Sequence, residues 1–293
     1  MRVFVTGATG FVGFPLVEEL IGAGHQVLGL ARSDAGAKSL AAAGAQVQRG
    51  DLTDLESLRS GAAQSDGVIH TAFIHDFSKF QENCEIDGRA IEALGSALAG
   101  SHRPLIVTSG LALVAQGRAA TEADPPAPVS ASLPRVSETT AAALAARGLN
   151  TSVVRLPQVH DTAKQGLITY VVGIAREKGV SAYVGDGSVR WAAVHRFDAS
   201  HLYRLAIEKG VAGARYHAIA EEGVSFREIT EAIGRSLKVP VVSISPEEAA
   251  GHFGWLARFT GLDLQGSSAQ TQKELGWKPT GPSLITDLDN MRY

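Results

Sequence analysis

The chain has 293 residues, 45% of them hydrophobic, a formal net charge of −3 and a single cysteine. That length suffices for one large core, or for a core with a satellite lobe. The mildly acidic balance, without any Lys/Arg-rich run, argues against a nucleic-acid surface, and lone Cys84 excludes an internal disulfide or a zinc cluster. The N-terminus starts directly on a strand, with no cleavable leader pattern, and no apolar run is long enough to span a bilayer. A soluble, cytoplasmic protein is expected.

Strand and helix alternate through the first half, the mark of a parallel sheet covered on both faces. Val3–Val5 reads as a short buried strand that breaks into Thr6-Gly7-Ala8-Thr9-Gly10-Phe11-Val12-Gly13, and a helix to Ala23 follows, with Leu16, Val17, Leu20 and Ile21 on its apolar face. A glycine-rich turn in that setting is a phosphate cradle. Gly7 permits the tight turn, Gly10 lets the backbone approach a pyrophosphate, and Gly13 lets helix and strand pack closely. Gln26–Ala31 is the second strand. A helix over Ala35–Ala43 is capped by Ser33 or Asp34, and Gln46–Arg49 is a third strand ending at Gly50-Asp51-Leu52.

A short helix over Asp54–Arg59, a strand over Gly67–Thr71, a long helix over Lys79–Ala99 and a strand over Leu105–Thr108 come next. Ala119–Pro134, rich in Pro and Ala, reads as an exposed loop. Val136–Arg147 is helical, stopped by Gly148, and Thr151–Arg155 is the sixth strand. Beyond it the spacing predicts helices over Leu167–Lys178, Asp198–Lys209 (capped by Asp198) and from Ser225 to Leu237. Ala192–His195 and Arg215–Ile219 read as strands. The fold class is therefore α/β: a Rossmann-type, doubly wound parallel sheet with a smaller, mainly C-terminal lobe. Residues 1–160 form the cofactor domain, with 190–220 returning to it, and 161–293 mainly the substrate lobe.

Dinucleotide folds declare their cofactor at the end of the second strand, where NAD-binding versions carry an acid roughly twenty residues after the glycines. Here Ala31 is followed by Arg32-Ser33, so a guanidinium and a hydroxyl stand where a 2′-phosphate would lie. The expected cofactor is NADP(H). Asp34 has two readings, a reach to the ribose and a helix cap. Asp51, with Leu52, has two as well, adenine contact and capping of the next helix. Thr71, Ala72 and Phe73 should run beside the ribose next to the nicotinamide.

These residues, together with Val68-Ile69-His70-Thr71-Ala72, Val107-Thr108-Ser109, Arg155-Leu156-Pro157, Val194-His195-Arg196-Phe197-Asp198-Ala199 and Leu275-Gly276-Trp277-Lys278-Pro279, resemble the extended, epimerase/dehydratase-like branch of the short-chain dehydrogenase/reductase family from end to end. The resemblance implies that Pro157 and Val159 approach the nicotinamide amide, and that a homodimer forms through the fourth and fifth helices. It also implies a Tyr-x-x-x-Lys pair on the helix before the sixth strand, which this chain lacks. Its first tyrosine is Tyr170, no lysine occurs between Lys79 and Lys164, and the natural overlay sets Pro134 against the tyrosine and Glu138 against the lysine. The family's asparagine on the fourth helix is replaced by Glu85, and Ser109-Gly110 leaves either residue at the usual serine position.

Candidate substitutes are Ser109, to orient a carbonyl, and His160, whose imidazole titrates near neutral pH; Lys164 lies in the same loop as His160. Neighbouring His75 and Asp76 are set aside as a dyad because adjacent side chains point apart. Tyr170, Tyr183 and Tyr203 are read as core or pocket wall, and His195 as packing at the lobe junction. Arg190 and Trp191 are candidate pocket lining. Nothing has metal-ligand spacing. The reaction expected is reduction of a carbonyl or related C=X group on a small, partly apolar substrate. The alternatives are a non-catalytic NADP-binding regulator or redox sensor, and a nucleotide-sugar epimerase or dehydratase.

Overall fold

In a computed structural model, which describes residues 1–292 apart from 113, 116, 131 and 132, the sheet builds outward from the first strand. The strands are β1 (Arg2–Thr6), β2 (Gln26–Ala31), β3 (Gln46–Arg49), β4 (Gly67–His70), β5 (Leu105–Gly110), β6 (Thr151–Leu156), β7 (Gln158–His160), β8 (Ser181–Val184), β9 (Arg190–His195), β10 (Arg215–His217), β11 (Glu221–Ser225) and β12 (Val241–Ile244). The helices are α1 (Gly13–Gly22), α2 (Asp34–Ala42), α3 (Leu55–Ala63), α4 (Phe80–Leu98), α5 (Ser137–Ala146) and α6 (Ile168–Lys178). They continue with α7 (Arg196–Lys209), α8 (Phe226–Leu237), α9 (Ala249–Phe253), α10 (Ala257–Thr260), α11 (Ala269–Leu275) and α12 (Leu284–Asp289).

Seven strands pair in the order β10-β6-β5-β4-β1-β2-β3, every neighbour parallel. Val3, Phe4 and Val5 are fully buried because both faces of β1 are covered, which is why they form an unbroken apolar run. One face packs α1 and α7 around Leu16, Leu20, Leu202 and Trp277. The other packs α3, α4 and α5 around Phe4, Leu58, Ile91 and Leu144. The chain leaves β1 toward β2 and β3, then crosses back to β4. That reversal puts a crevice beyond the carboxyl ends of β1 and β4, where open α/β sheets hold ligands.

The second half adds an antiparallel-and-parallel sheet, β11-β9-β7, and a parallel pair, β12-β8, over a third core of Trp191, Phe226, Phe253 and Leu256. Several expectations are corrected here. Helix α7 starts at Arg196 with His195, not Asp198, as its cap. Asp198 instead accepts from the Thr280 and Gly281 amides at 3.0 and 2.8 Å, while its carbonyl takes the Trp277 indole N–H at 3.0 Å. The Asp198 carboxylate thus ties the closing Gly-Trp-Lys-Pro segment to the helix start. The 119–134 stretch is not simply an exposed loop: Ala120, Glu122 and Asp124 are buried, and Glu122 caps α11 by accepting from Thr271 N and Oγ1; positions 131 and 132 within it lie outside the described residues. The expected strand at 215–219 ends at His217. Among the described residues no helix is long and apolar enough to cross a membrane.

Candidate active site

The turn after β1 is shaped by backbone contact. Gly7 has φ +68°, and a Cβ there would lie 2.7 Å from Ala72 N, so only glycine suits both the left-handed backbone and the close approach of the β4 loop. A Cβ on Gly13 would sit 2.0 Å from Gly7 O; helix α1 therefore starts directly against the turn. No side chain caps α1. The N–H groups of Phe11, Val12 and Gly13 find no backbone acceptor among the described residues, and beyond the Gly7 carbonyl nothing stands within 4 Å of where a Gly10 Cβ would be. Unclaimed donors at a positive helix end beside an open backbone fit a dinucleotide pyrophosphate.

At the ends of β2 and β3 the sequence alternatives resolve. Ser33 caps α2, its Oγ accepting from Gly36 N at 3.1 Å. Asp34 opens the helix and pairs outward with Arg49 at 2.8 Å, so it is neither the cap nor turned to the ribose position. Arg32 is exposed and has no hydrogen bond or ion pair among the described residues. One Asp51 oxygen is spent within its own turn, accepting from Thr53 N at 2.7 Å and from Thr53 Oγ1 at 2.6 Å. Those bonds, and more weakly Arg32, hold its carboxyl below the usual carboxylate range. The cap of α3 is Asp54. Leu52 is buried in the core below.

On the β4 side Thr71 donates its hydroxyl to Thr6 O at 2.8 Å. Phe73 begins an aromatic cluster: its ring meets His75 at 5.3 Å and Phe80 at 6.1 Å edge-on. Phe77 stacks on Trp255 at 5.0 Å, and Tyr170 meets Trp255 edge-on at 5.3 Å. The cluster joins the one-turn helix Phe77–Lys79 to α6 and to the Gly254–Leu256 turn of the C-terminal lobe. Tyr170 and Trp255 keep 41% and 45% of their surface exposed, so this is a wall open on one side. Tyr203, in contrast, is core, its hydroxyl 2.6 Å from Thr108 Oγ1, and burial pushes its pKa well up. Trp191 is fully buried and lines no opening. Tyr183 stays partly exposed beside Arg227.

Ser109 extends β5, paired with Arg155, and its hydroxyl has no hydrogen-bond partner among the described residues. The space a Gly110 Cβ would fill is empty. His75 donates its Nδ1–H to Phe73 O, 3.1 Å away; burial, then the charges of Arg135 and Lys164, hold its pKa below the usual histidine value. His160 lies in a strand rather than a loop. It is fully buried, its Nδ1 is 2.7 Å from Asp287 on α12, and its Nε2, 3.8 Å from Glu221 Oε2, has no hydrogen-bond partner among the described residues. Desolvation by burial lowers its pKa from the usual histidine value, against the opposing pull of Asp287. Pro157 and Val159 precede it, Val159 buried in the core. Lys164 stands over the Phe11 ring, 5.6 Å from its centroid.

Helix α5 carries the overlay residues. Glu138 turns inward and holds Arg155, at 3.0 Å from Nε and 2.5 Å from Nη2. Arg155 is wholly buried and also donates to Asp124 O at 2.8 Å. One residue before Glu138, Ser137 donates to Asp87 Oδ2 at 2.5 Å, Asp87 Oδ1 is 3.0 Å from His70 Nε2, and His70 Nδ1 is 2.7 Å from Thr6 Oγ1. Arg135 joins this chain through Nε to Ser137 Oγ at 3.2 Å, its guanidinium 4.4 Å above the Phe73 ring. Sequence reasoning missed Arg135, Asp87, Ser137 and Trp255. Arg135 stood between the two overlay residues that drew attention, and nothing in the sequence marks Trp255. No group of three potential metal ligands occurs among the described residues.

The family described as NAD dependent epimerase/dehydratase matches residues 3–220. The chain belongs to that family. An uncharacterized protein of Schizosaccharomyces pombe is 48% identical over 297 residues, covering all of both chains. The sterol-4-alpha-carboxylate 3-dehydrogenase (decarboxylating) of Dictyostelium discoideum is 28% identical across 78% of this chain and 74% of its own. Among solved structures, the dTDP-glucose 4,6-dehydratase of Streptomyces venezuelae with NAD bound superposes with a TM-score of 0.77 at 22% identity, over 99% of this chain and 95% of that one. The family is one of nicotinamide-dependent oxidoreductases, epimerases and dehydratases, and the open turn at Gly7–Gly13 is consistent with such a fold.

Proposed function

We propose that the protein is an NADPH-dependent oxidoreductase that reduces a carbonyl, or a related C=X group, of a small and partly apolar substrate. One observation carries the reading: the open phosphate turn adjoins, through Ala72 against Gly7, an aromatic wall that begins at Phe73. When bound, the cofactor supplies the hydride. Gly7, Thr9, Gly10, Phe11, Val12 and Gly13 hold its pyrophosphate. Asp51 and Leu52 meet the adenine, and Thr71, Ala72, Phe73, Pro157 and Val159 border the nicotinamide half. Arg32, unpaired at the end of a β2 that offers no acid, recognises a 2′-phosphate with Ser33 beside it. Residues 1–160, with 190–220 returning, hold the cofactor, and 161–293 contribute most of the substrate lobe.

Ser109 orients the substrate oxygen, since its hydroxyl is free to donate. His160 is assigned a structural part instead of the proton-donating one, because its ring has no open surface and its Nδ1 is committed to Asp287. The aromatic wall, open on one side, favours an apolar substrate body. The test is fluorescence titration with NADPH and NADH, then absorbance-monitored turnover on aromatic and aliphatic aldehydes and ketones, repeated with Ser109→Ala. The expected result is tighter NADPH binding, and turnover that Ser109→Ala lowers about 10- to 100-fold. NADPH binding without turnover on any carbonyl would favour a regulator. Equal affinity for NADH would remove the assignment of Arg32.

A further inference from the structure

We infer that Arg135 is the group that grips the substrate's carbonyl oxygen, positioned for that task by the buried chain Ser137–Asp87–His70–Thr6. The inference rests on the carbonyl-reducing reading above and gives it the electrophile that the missing tyrosine would have supplied. Arg135 is partly exposed and forms no ion pair among the described residues. One of its five N–H donors is used, Nε on Ser137 Oγ, and the other four have no acceptor among the described residues. A guanidinium with unclaimed donors, 4.4 Å above the Phe73 ring and close enough to His75 to act on its charge, is a site for an oxygen that bears or develops negative charge.

The chain behind it fixes the geometry. Asp87 accepts from Ser137 on one oxygen and from His70 on the other. Ser137, its proton given to Asp87, can only accept from Arg135. Thr6 and Ser137 are fully buried, and His70 and Asp87 nearly so, so no water competes for these bonds. The relay thus runs from the first residue of the phosphate turn to the guanidinium. A bound reduced nicotinamide would supply the hydride, and with it the two electrons, to the carbonyl carbon as the carbonyl π bond breaks. The electron pair moves to oxygen, where Arg135 donates hydrogen bonds without losing a proton, and water supplies the proton that completes the alcohol.

Two probes separate this from the parent reading: benzoate as a flat, apolar anion that mimics the charged oxygen, and benzaldehyde as substrate. Benzoate binding is followed by quenching of Trp255, since Trp191 and Trp277 are fully buried. In the presence of NADP+, Arg135→Ala should weaken benzoate more than tenfold while the NADPH dissociation constant stays within twofold. With benzaldehyde and NADPH, kcat/KM should fall at least 100-fold, and millimolar guanidinium should restore about tenfold. Ser137→Ala should weaken benzoate less, and Arg135→Ala/Ser137→Ala should be no worse than Arg135→Ala alone, as expected when one residue acts through the other. Arg135→Lys, which keeps the charge but loses the fork, should retain part of the benzoate affinity. Absence of saturable benzoate binding to the native chain, or equal binding by Arg135→Ala, overturns the inference. Turnover failure in the native chain with benzoate binding intact and Arg135-dependent would sink the reductase reading and leave Arg135 as an oxyanion ligand.

Discussion

Restoring the family's lysine by Glu138→Lys should destabilise this protein. Glu138 is 7% exposed and Arg155 is 0% exposed, and the two meet through both carboxylate oxygens. Removing one partner of such a buried pair costs about 3–5 kcal/mol, because the other charge is left without compensation. A lysine adds a like charge in the same space, so that range is a floor. Out of a total stability of about 5–15 kcal/mol, and at ~2 °C per kcal/mol for a large domain, the midpoint should drop by about 6–10 °C or more. Thermal and urea unfolding followed by circular dichroism give the measurement, with Glu138→Gln as the intermediate case that keeps one acceptor for Arg155. The order expected is native, then Glu138→Gln, then Glu138→Lys. A Glu138→Lys midpoint within 2 °C of native would refute the reasoning, since it would mean that side chain 138 faces the crevice and not Arg155.

Arg32→Ala should raise the dissociation constant for NADPH about 10- to 100-fold, as loss of a charge-assisted bond implies, and leave that for NADH unchanged; parallel fluorescence titrations decide it. Gly13→Ala drives a methyl to 2.0 Å from Gly7 O, so the turn must open and cofactor affinity should fall by more than 100-fold in the same titration. Burial holds His160 and His217 below the usual histidine value. The unfolded chain takes up protons near pH ~6.5 that the folded chain refuses, so stability present above that pH is lost as pH falls below it. Glu221, raised by burial, works with the opposite sign, its contribution present at low pH and lost as pH rises through its elevated pKa. Urea midpoints at pH 7.5 and 5.5 should differ accordingly, and His160→Gln should shrink the difference; an unchanged difference would rule out His160 as a source.

The turn after β1 was legible in the sequence because its shape is set by backbone. Glycines at 7, 10 and 13 announce where a Cβ cannot go, and Ala31-Arg32 announces an absent acid. The second lobe was harder to read. Strands β7, β8, β11 and β12 are three to five residues long, too short to show a period, and they owe their pairing to tertiary packing. Asp198 was misread as a cap because its carboxylate does sit at a helix start, but the amides it binds come from Thr280 and Gly281, 82 and 83 residues away in sequence. His160 looked like a loop histidine for a similar reason: its partner Asp287 lies 127 residues on. Pairings at that separation leave no local trace.

The active-site difference is best understood as a relocation of charge and not as a loss. In the family pattern a lysine four residues after the tyrosine carries the positive charge at the start of this helix. Here position 138 is acidic and is drawn inward by Arg155, which itself exists as a buried cation only because Glu138 is there to meet it. A carboxylate at 138 would repel a developing alkoxide if it faced the crevice; locked to Arg155 it is turned away from it. On the inference drawn above for Arg135, the positive charge offered to a substrate comes from position 135, one residue after the overlay's tyrosine position, where one hydrogen bond to Ser137 holds it rather than a carboxylate directly. Because Ser137 stands between Arg135 and Asp87, the guanidinium is oriented without being neutralised, which leaves its charge available to a substrate oxygen. The two changes are therefore coupled: the Glu138–Arg155 pair removes negative charge from the crevice, and the Asp87–Ser137 tether presents positive charge to it.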